Sequence, residues 1–266
     1  MSSRSRDLVV SLVAVAALVA LAVGGWSLVR ARAEGSGAVQ SPAPVVVSTP
    51  GPTASAAPPE EPAYETWLVG KAVSEVVVRT KPSDKAAVKV RLDKRNYHDY
   101  PTVVLVDTAR TVDGVTWHRV WLSVRPNGSR GWVKEGQLAF YTTSAKIEID
   151  LSERLLRVYR RGELRGEYPV AVGRPALPTP TGFYFVNQKL EPADPGGVYG
   201  VLALGISAFQ PDLSDWPNGG PVAIHGTNQP ELIGQAVSHG CVRMRNRDIR
   251  EVGRLVPAGS PVVISE

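Results

Sequence analysis

The chain has 266 residues, a formal net charge of +5 and 43% hydrophobic residues. That is enough apolar material for one or two packed domains and too much for a wholly disordered chain. One cysteine, Cys241, excludes an internal disulfide framework, and the absence of zinc-finger spacing and of an aromatic RNA-binding signature excludes the common nucleic-acid modules.

The charge is uneven. Residues 64–143 hold 13 Lys and Arg against 8 acids, whereas the segments on either side are neutral. The basic middle segment suits an anionic partner such as a wall polymer, or is simply a solvated surface.

Leu8–Val29 is a run of 22 residues without a charge, flanked by Arg4 and Arg6 on one side and Arg30 and Arg32 on the other. Its length matches a helix that crosses a bilayer. The expected arrangement is a single-pass signal anchor in the cell membrane, occupying residues 1–33, with everything after it extracytoplasmic. A signal peptide cleaved after Ala31-Arg32-Ala33 is the alternative. Residues 34–63 are rich in Pro, Ala and Ser and read as a linker, spanning about 30 Å as a coil and up to about 90 Å as polyproline II.

Residues 64–143 alternate short strands with turns. Val76–Arg79, Val88–Leu92, Val103–Val106, Thr116–Trp121 and Gly131–Val133 are predicted strands, and Asp113-Gly114 and Pro126-Asn127-Gly128 are turns. Five strands in this length predict a small antiparallel barrel, and their order resembles bacterial SH3-like domains. Trp117, Trp121 and Trp132 are candidates for a ligand platform or for the core. His98 and His118 are read as structural.

Residues 144–266 continue in strands: Lys146–Leu151, Leu155–Tyr159, Tyr168–Val172, Gly182–Val186, Val222–Ile224 and Pro261–Ile264. Asn246–Leu255 has helical periodicity, with Asp248, Glu251 and Arg254 on its polar side. Between Leu190 and Gly220 the pattern breaks, as in a functional or mobile loop.

Chemistry concentrates in Ser238-His239-Gly240-Cys241-Val242-Arg243-Met244 and in His225-Gly226. In an exported chain the lone thiol stays free, and a free thiol among histidines suits a nucleophile. His225 follows a predicted strand and can reach the thiol as base. His239 lies two residues from Cys241 and shares its face in extended backbone. The amides of Gly240 and Cys241 are candidate oxyanion donors. Zinc would take His225, His239 and Cys241 but lacks a fourth ligand at a typical spacing; neither a metal nor a cofactor is expected.

These motifs resemble the YkuD-type L,D-transpeptidases of bacterial cell walls. The resemblance rests on His225-Gly226-Thr227-Asn228 and Ser238-His239-Gly240-Cys241-Val242-Arg243-Met244, supported by Ile147–Leu151, Tyr168-Pro169-Val170, Gly173 and Thr179-Pro180-Thr181-Gly182, and it covers residues 144–266. It implies a β-sandwich catalytic domain with one or two helices, so that the whole chain is mostly β. It also implies a reaction on peptidoglycan stem peptides. Cys241 attacks the L-centre carbonyl of the third stem residue, D-alanine leaves, and an amine of a second stem resolves the thioester into a 3→3 cross-link. His225 is then the base and His239 tunes the thiol. Ser238, Gly226 and Arg243 are expected at the substrate, with Arg243 either binding a carboxylate or pairing with Asp248. Tyr199 and Trp216 are expected in a lid. Some family members have Ser where Gly226 stands, so the group that orients His225 is expected to be a backbone carbonyl. An L,D-carboxypeptidase, a transferase using a protein lysine, a non-catalytic wall-binding protein and a protease acting on ordinary peptides remain open alternatives.

Overall fold

The structure, a computed structural model, describes residues 64–213, 215 and 220–266. The predicted membrane segment Leu8–Val29, the linker and Trp216 lie outside the described residues. No helix among the described residues is long and apolar enough to cross a membrane.

The first half is a seven-stranded antiparallel sheet. Its strands are β1 (Trp67–Ala72), β2 (Val76–Arg79), β3 (Val88–Leu92), β4 (Val103–Val112), β5 (Val115–Trp121), β6 (Arg130–Lys134) and β7 (Leu138–Thr143), in the order β3-β2-β6-β5-β4-β1-β7. The sequence predicts five of these. It misses β1 and β7, which pair with each other over six residues from Trp67–Thr143 to Ala72–Leu138. The Asp113-Gly114 turn between β4 and β5 has positive φ at both positions, 50° and 74°, the geometry that matches hairpin twist. Trp117 and Trp132 are buried. Trp121 stacks on Phe183, with ring centroids 4.8 Å apart, and lies beneath Arg130. The core reading of the tryptophans therefore holds.

The second half runs β8 (Ala145–Asp150), β9 (Leu155–Arg160), β10 (Glu163–Pro169), β11 (Val172–Gly173), β12 (Gly182–Leu190), β13 (Ala203–Phe209), β14 (Pro221–His225), β15 (Ala236–Ser238), β16 (Val242–Arg243), helix α1 (Asn246–Leu255) and β17 (Pro261–Ser265). Eight strands form one mixed sheet, β10-β9-β8-β17-β12-β13-β14-β16, and β11 pairs with β15 separately. One core draws Ile147, Leu156 and Tyr168 from one end of that sheet, Ile224 and Val242 from the other, and Ile249 and Val252 from the helix. The sheet thus wraps round a single core instead of stacking as two. Each of these side chains contributes roughly 1.5–3 kcal/mol.

Helix α1 matches its predicted span. Asp248 is a correction: it is buried and paired with Arg247 at 2.9 Å. Its place in the first turn also puts its charge near the positive end of the helix dipole. Strand β13 is a second correction, since it lies inside the stretch read as a loop. Six of its seven residues are buried, so Ala203–Phe209 shows no alternation for a sequence reading to catch.

The two sheets share structure. Val69, Val103 and Leu105 of the first pack with Phe185 of the second in one buried cluster. The Asn127 side chain mimics a peptide: Nδ2 donates to the Phe209 carbonyl and Oδ1 accepts the Phe209 N–H, both at 2.8 Å. Tyr141 donates to the Ala258 carbonyl, and the Thr143 and Ser260 hydroxyls lie 3.2 Å apart in the interior.

Candidate active site

Strands β14 and β16 run parallel, with Ile224 opposite Val242 and His225 opposite Arg243. One step back along that register, Cys241 stands beside Ala223, whose backbone hydrogen-bonds to the thiol. Alternation along both strands gives Cys241, Arg243 and His225 one common face. Sheet pairing therefore joins two motifs that are 16 positions apart.

His225 is 3% exposed. Its Nδ1 lies 2.6 Å from the Gly226 carbonyl, which can only accept, so Nδ1 carries the proton and Nε2 keeps its lone pair. This carbonyl is the orienting group that the sequence left unplaced. Burial pushes the His225 pKa down to about 4; the Gly226 hydrogen bond opposes the shift and the nearby Arg243 charge adds to it. The imidazole is therefore neutral at neutral pH. Desolvation raises the pKa of the Cys241 thiol, against the opposing effects of the Ala223 backbone and Arg243. The resting pair is a neutral thiol and a neutral imidazole.

The Cys241 turn is fixed from within. The Ser238 hydroxyl donates to the Cys241 carbonyl at 2.5 Å and accepts the Gly240 N–H at 3.0 Å. Ser238 is 1% exposed and braces the turn, and of the two amides expected as oxyanion donors that of Gly240 is engaged by the Ser238 hydroxyl. Gly240 has φ +114°, and a Cβ there would lie 3.2 Å from Cγ of Gln210. Gln210 is buried with its side chain satisfied, donating to the Pro178 carbonyl and accepting the Asp212 N–H.

Gly226, expected at the substrate, is also buried. A Cβ on it would lie 2.2 Å from Oδ1 of Asn246, at the start of α1. That oxygen accepts N–H groups from Thr227 at 3.1 Å and Val201 at 3.3 Å. The sequence reading missed Asn246, although its place just after the cysteine motif and at a helix start was a usable signal.

A cavity of about 1320 Å³ opens over the site, bordered by Cys241, His239 and Tyr199. His239 is exposed. Tyr199 lies edge-on to the His225 ring, with centroids 5.0 Å apart. Arg243 does not border this cavity. Its Nη1 reaches Gln229 at 3.4 Å and its Nε is buried without a hydrogen-bond partner. The expected pair with Asp248 is not formed, since Asp248 takes Arg247. His98, read as structural, borders the cavity from the first sheet. Among the described residues no group of three His, Cys, Asp or Glu side chains is arranged to hold a metal ion.

A buried neutral imidazole with a fixed tautomer, on the same sheet face as a thiol that borders a large cavity, has the chemistry to take a thiol proton and return it to a leaving group. Residues 144–264 match the family model described as the YkuD L,D-transpeptidase catalytic domain. The chain is 36% identical over 158 residues to the L,D-transpeptidase-type protein YkuD of Bacillus licheniformis, covering 56% of this chain and 87% of that one. It is 36% identical over 126 residues to YkuD of Bacillus subtilis, covering 47% and 68%. A solved L,D-transpeptidase from Mycobacterium tuberculosis aligns at 17% identity over 74% of this chain and 96% of that one, with a TM-score of 0.43. With its cysteine and histidine motifs inside the matched span, the chain belongs to the YkuD family of L,D-transpeptidases, which are acyltransferases.

Proposed function

We infer that the chain is a peptidoglycan L,D-transpeptidase that forms 3→3 cross-links through a thioester on Cys241. The observation that carries this is the His225 tautomer: Nδ1–H is held by the Gly226 carbonyl, which leaves Nε2 as a base on the face shared with Cys241. His225 takes the thiol proton as Sγ attacks the L-centre carbonyl of a tetrapeptide stem. The Cys241 amide faces the developing oxyanion. The carbon–nitrogen bond to D-alanine breaks, and His225 returns the proton to the departing amine. An amine of a second stem then attacks the thioester, gives its proton to His225, and the thiol is restored. Arg243 adds positive charge that favours the thiolate, while His239 shapes the cavity mouth.

The membrane anchor at Leu8–Val29 and the linker to residue 63 would lift the folded part into the wall, with residues 64–143 as an SH3-like module that attracts anionic wall polymers. Intact-mass spectrometry of the reaction with a disaccharide-tetrapeptide tests the activity. Loss of D-alanine with a cross-linked dimer, absent in Cys241→Ala, is the expected result. Tripeptide without dimer means that water is the acceptor and the activity is that of an L,D-carboxypeptidase. An absence of turnover in a folded protein overturns the assignment.

A further inference from the structure

The cavity over Cys241 is not built by the catalytic sheet alone. Its opposite side is the β3–β4 connection of the first sheet, with Arg95, Asn96, Tyr97 and His98. Its volume exceeds the roughly 300–1,000 Å³ of sites for drug-sized ligands, as a longer chain-like substrate requires.

The connection is braced by its own contacts. Arg95 bridges to Pro101. Within this loop Asn96 Oδ1 accepts the N–H groups of His98 at 3.0 Å and Tyr100 at 3.1 Å. Arg95 pairs with Asp99 at 2.5 Å. The loop is also tied to the catalytic sheet, because Asn96 Nδ2 donates at 2.6 Å to Gln188 on β12, and Gln188 is 7% exposed. Gln188 is a side-chain partner of Tyr97 as well.

At the tip, Tyr97 is 58% exposed and Tyr199 on the catalytic side is 50% exposed. They are the two exposed large aromatic side chains among the described residues, and both border this cavity. They are also electrostatic neighbours. Tyrosine offers a large amphipathic surface that loses little entropy on binding, and here it is held at the mouth by a braced loop and by contact with His225.

We propose that Tyr97 is a specificity-determining residue of the Cys241 cavity, whose ring, facing Tyr199, grips the stem peptide of the donor, so that the first sheet takes part in substrate selection. This rests on the transpeptidase reading. Steady-state kinetics of D-alanine release from a disaccharide-tetrapeptide tests it in the wild-type protein, Tyr97→Ala, and Val115→Ala as a control on the exposed β4–β5 hairpin. Tyr97→Ala is expected to raise KM about tenfold, the loss of one aromatic contact, with a smaller effect on kcat. A KM within twofold of wild type, or an equal rise in Val115→Ala, overturns the proposal. If the wild-type protein turns over no stem peptide, the transpeptidase reading fails first. Equilibrium binding of the same tetrapeptide to Cys241→Ala, with and without Tyr97→Ala, then decides this one: a Kd about tenfold weaker supports it, and an unchanged Kd overturns it.

Discussion

The side-chain oxygen of Asn246 occupies the space that a Cβ on Gly226 would fill, 2.2 Å from that position. Asn246 accepts the Thr227 N–H, and the carbonyl of the same peptide group, Gly226 C=O, holds His225 Nδ1. One peptide plane therefore links the start of α1 to the imidazole, so that Asn246 holds the peptide that orients the His225 ring. Asn246→Ala leaves two inward N–H groups without an acceptor, a loss of about 1–3 kcal/mol, and is expected to lower kcat about tenfold. Asn246→Asp keeps the acceptor but adds negative charge near the ring. Thermal melting should recover, and the acid limb of the pH–rate profile should move upward, because negative charge favours the imidazolium. A purely structural role for Asn246 would leave that limb in place.

Acid stability follows from His225. Its folded pKa, about 4, lies below the ordinary 6.5. Above 6.5 neither folded nor unfolded His225 binds a proton. As pH falls from 6.5 to about 4, the unfolded chain binds one that the folded chain refuses, and stability drops by about 3 kcal/mol across that window. Urea melts at pH 7 and pH 4.5 should show the drop, and His225→Gln should remove most of it.

Thiol reactivity should follow the same electrostatics. With its pKa raised above the ordinary 9.0, Cys241 is protonated at rest. Alkylation by iodoacetamide is expected to be slow at pH 7 and to keep rising beyond pH 9. A plateau below pH 7 would show instead a resting thiolate–imidazolium pair.

Gly240→Ala tests the brace beneath Cys241. The substitution places a side chain at φ +114° against buried Gln210, at a cost of about 1–3 kcal/mol. It should abolish turnover through displacement of Cys241. Far-UV circular dichroism should show that the fold survives.

Asn127 reports on the docking of the two sheets. Asn127→Ala strands the N–H and C=O of Phe209, with an expected loss of about 2 kcal/mol and about 4–8 °C in Tm. Unfolding should remain one transition, since the buried cluster of Val69, Leu105 and Phe185 belongs to both sheets.

What was legible in the sequence was local. The span of α1, the Asp113-Gly114 turn and the strand that ends in His225 each depend on neighbouring residues, whereas the pairing of that strand with the Cys241 segment does not. Strand β13 was hidden because burial on both faces removes alternation. The hydrogen bonds of Ser238 to the Gly240 amide and the Cys241 carbonyl were not legible, because a motif shows which groups are present and not which are hydrogen-bonded to each other. Asn246 was missed, and the place of His98 and Tyr97 at the cavity was not legible, because both depend on residues far away in the chain that only the wrapped sheet and its docked neighbour bring close.

The six-residue ladder between β1 and β7 has a mechanical consequence. A pull on the chain at Tyr64 enters β1 at Trp67, opposite Thr143 where β7 ends, so the antiparallel ladder is loaded from one end and its hydrogen bonds open in turn from Trp67–Thr143 toward Ala72–Leu138. Strand β7 passes after a single residue into β8 of the catalytic sheet. Tension arriving from the N-terminal side is thus met first at the junction of the two sheets, where the outermost pair Trp67–Thr143 yields before the turn that carries Cys241 is loaded.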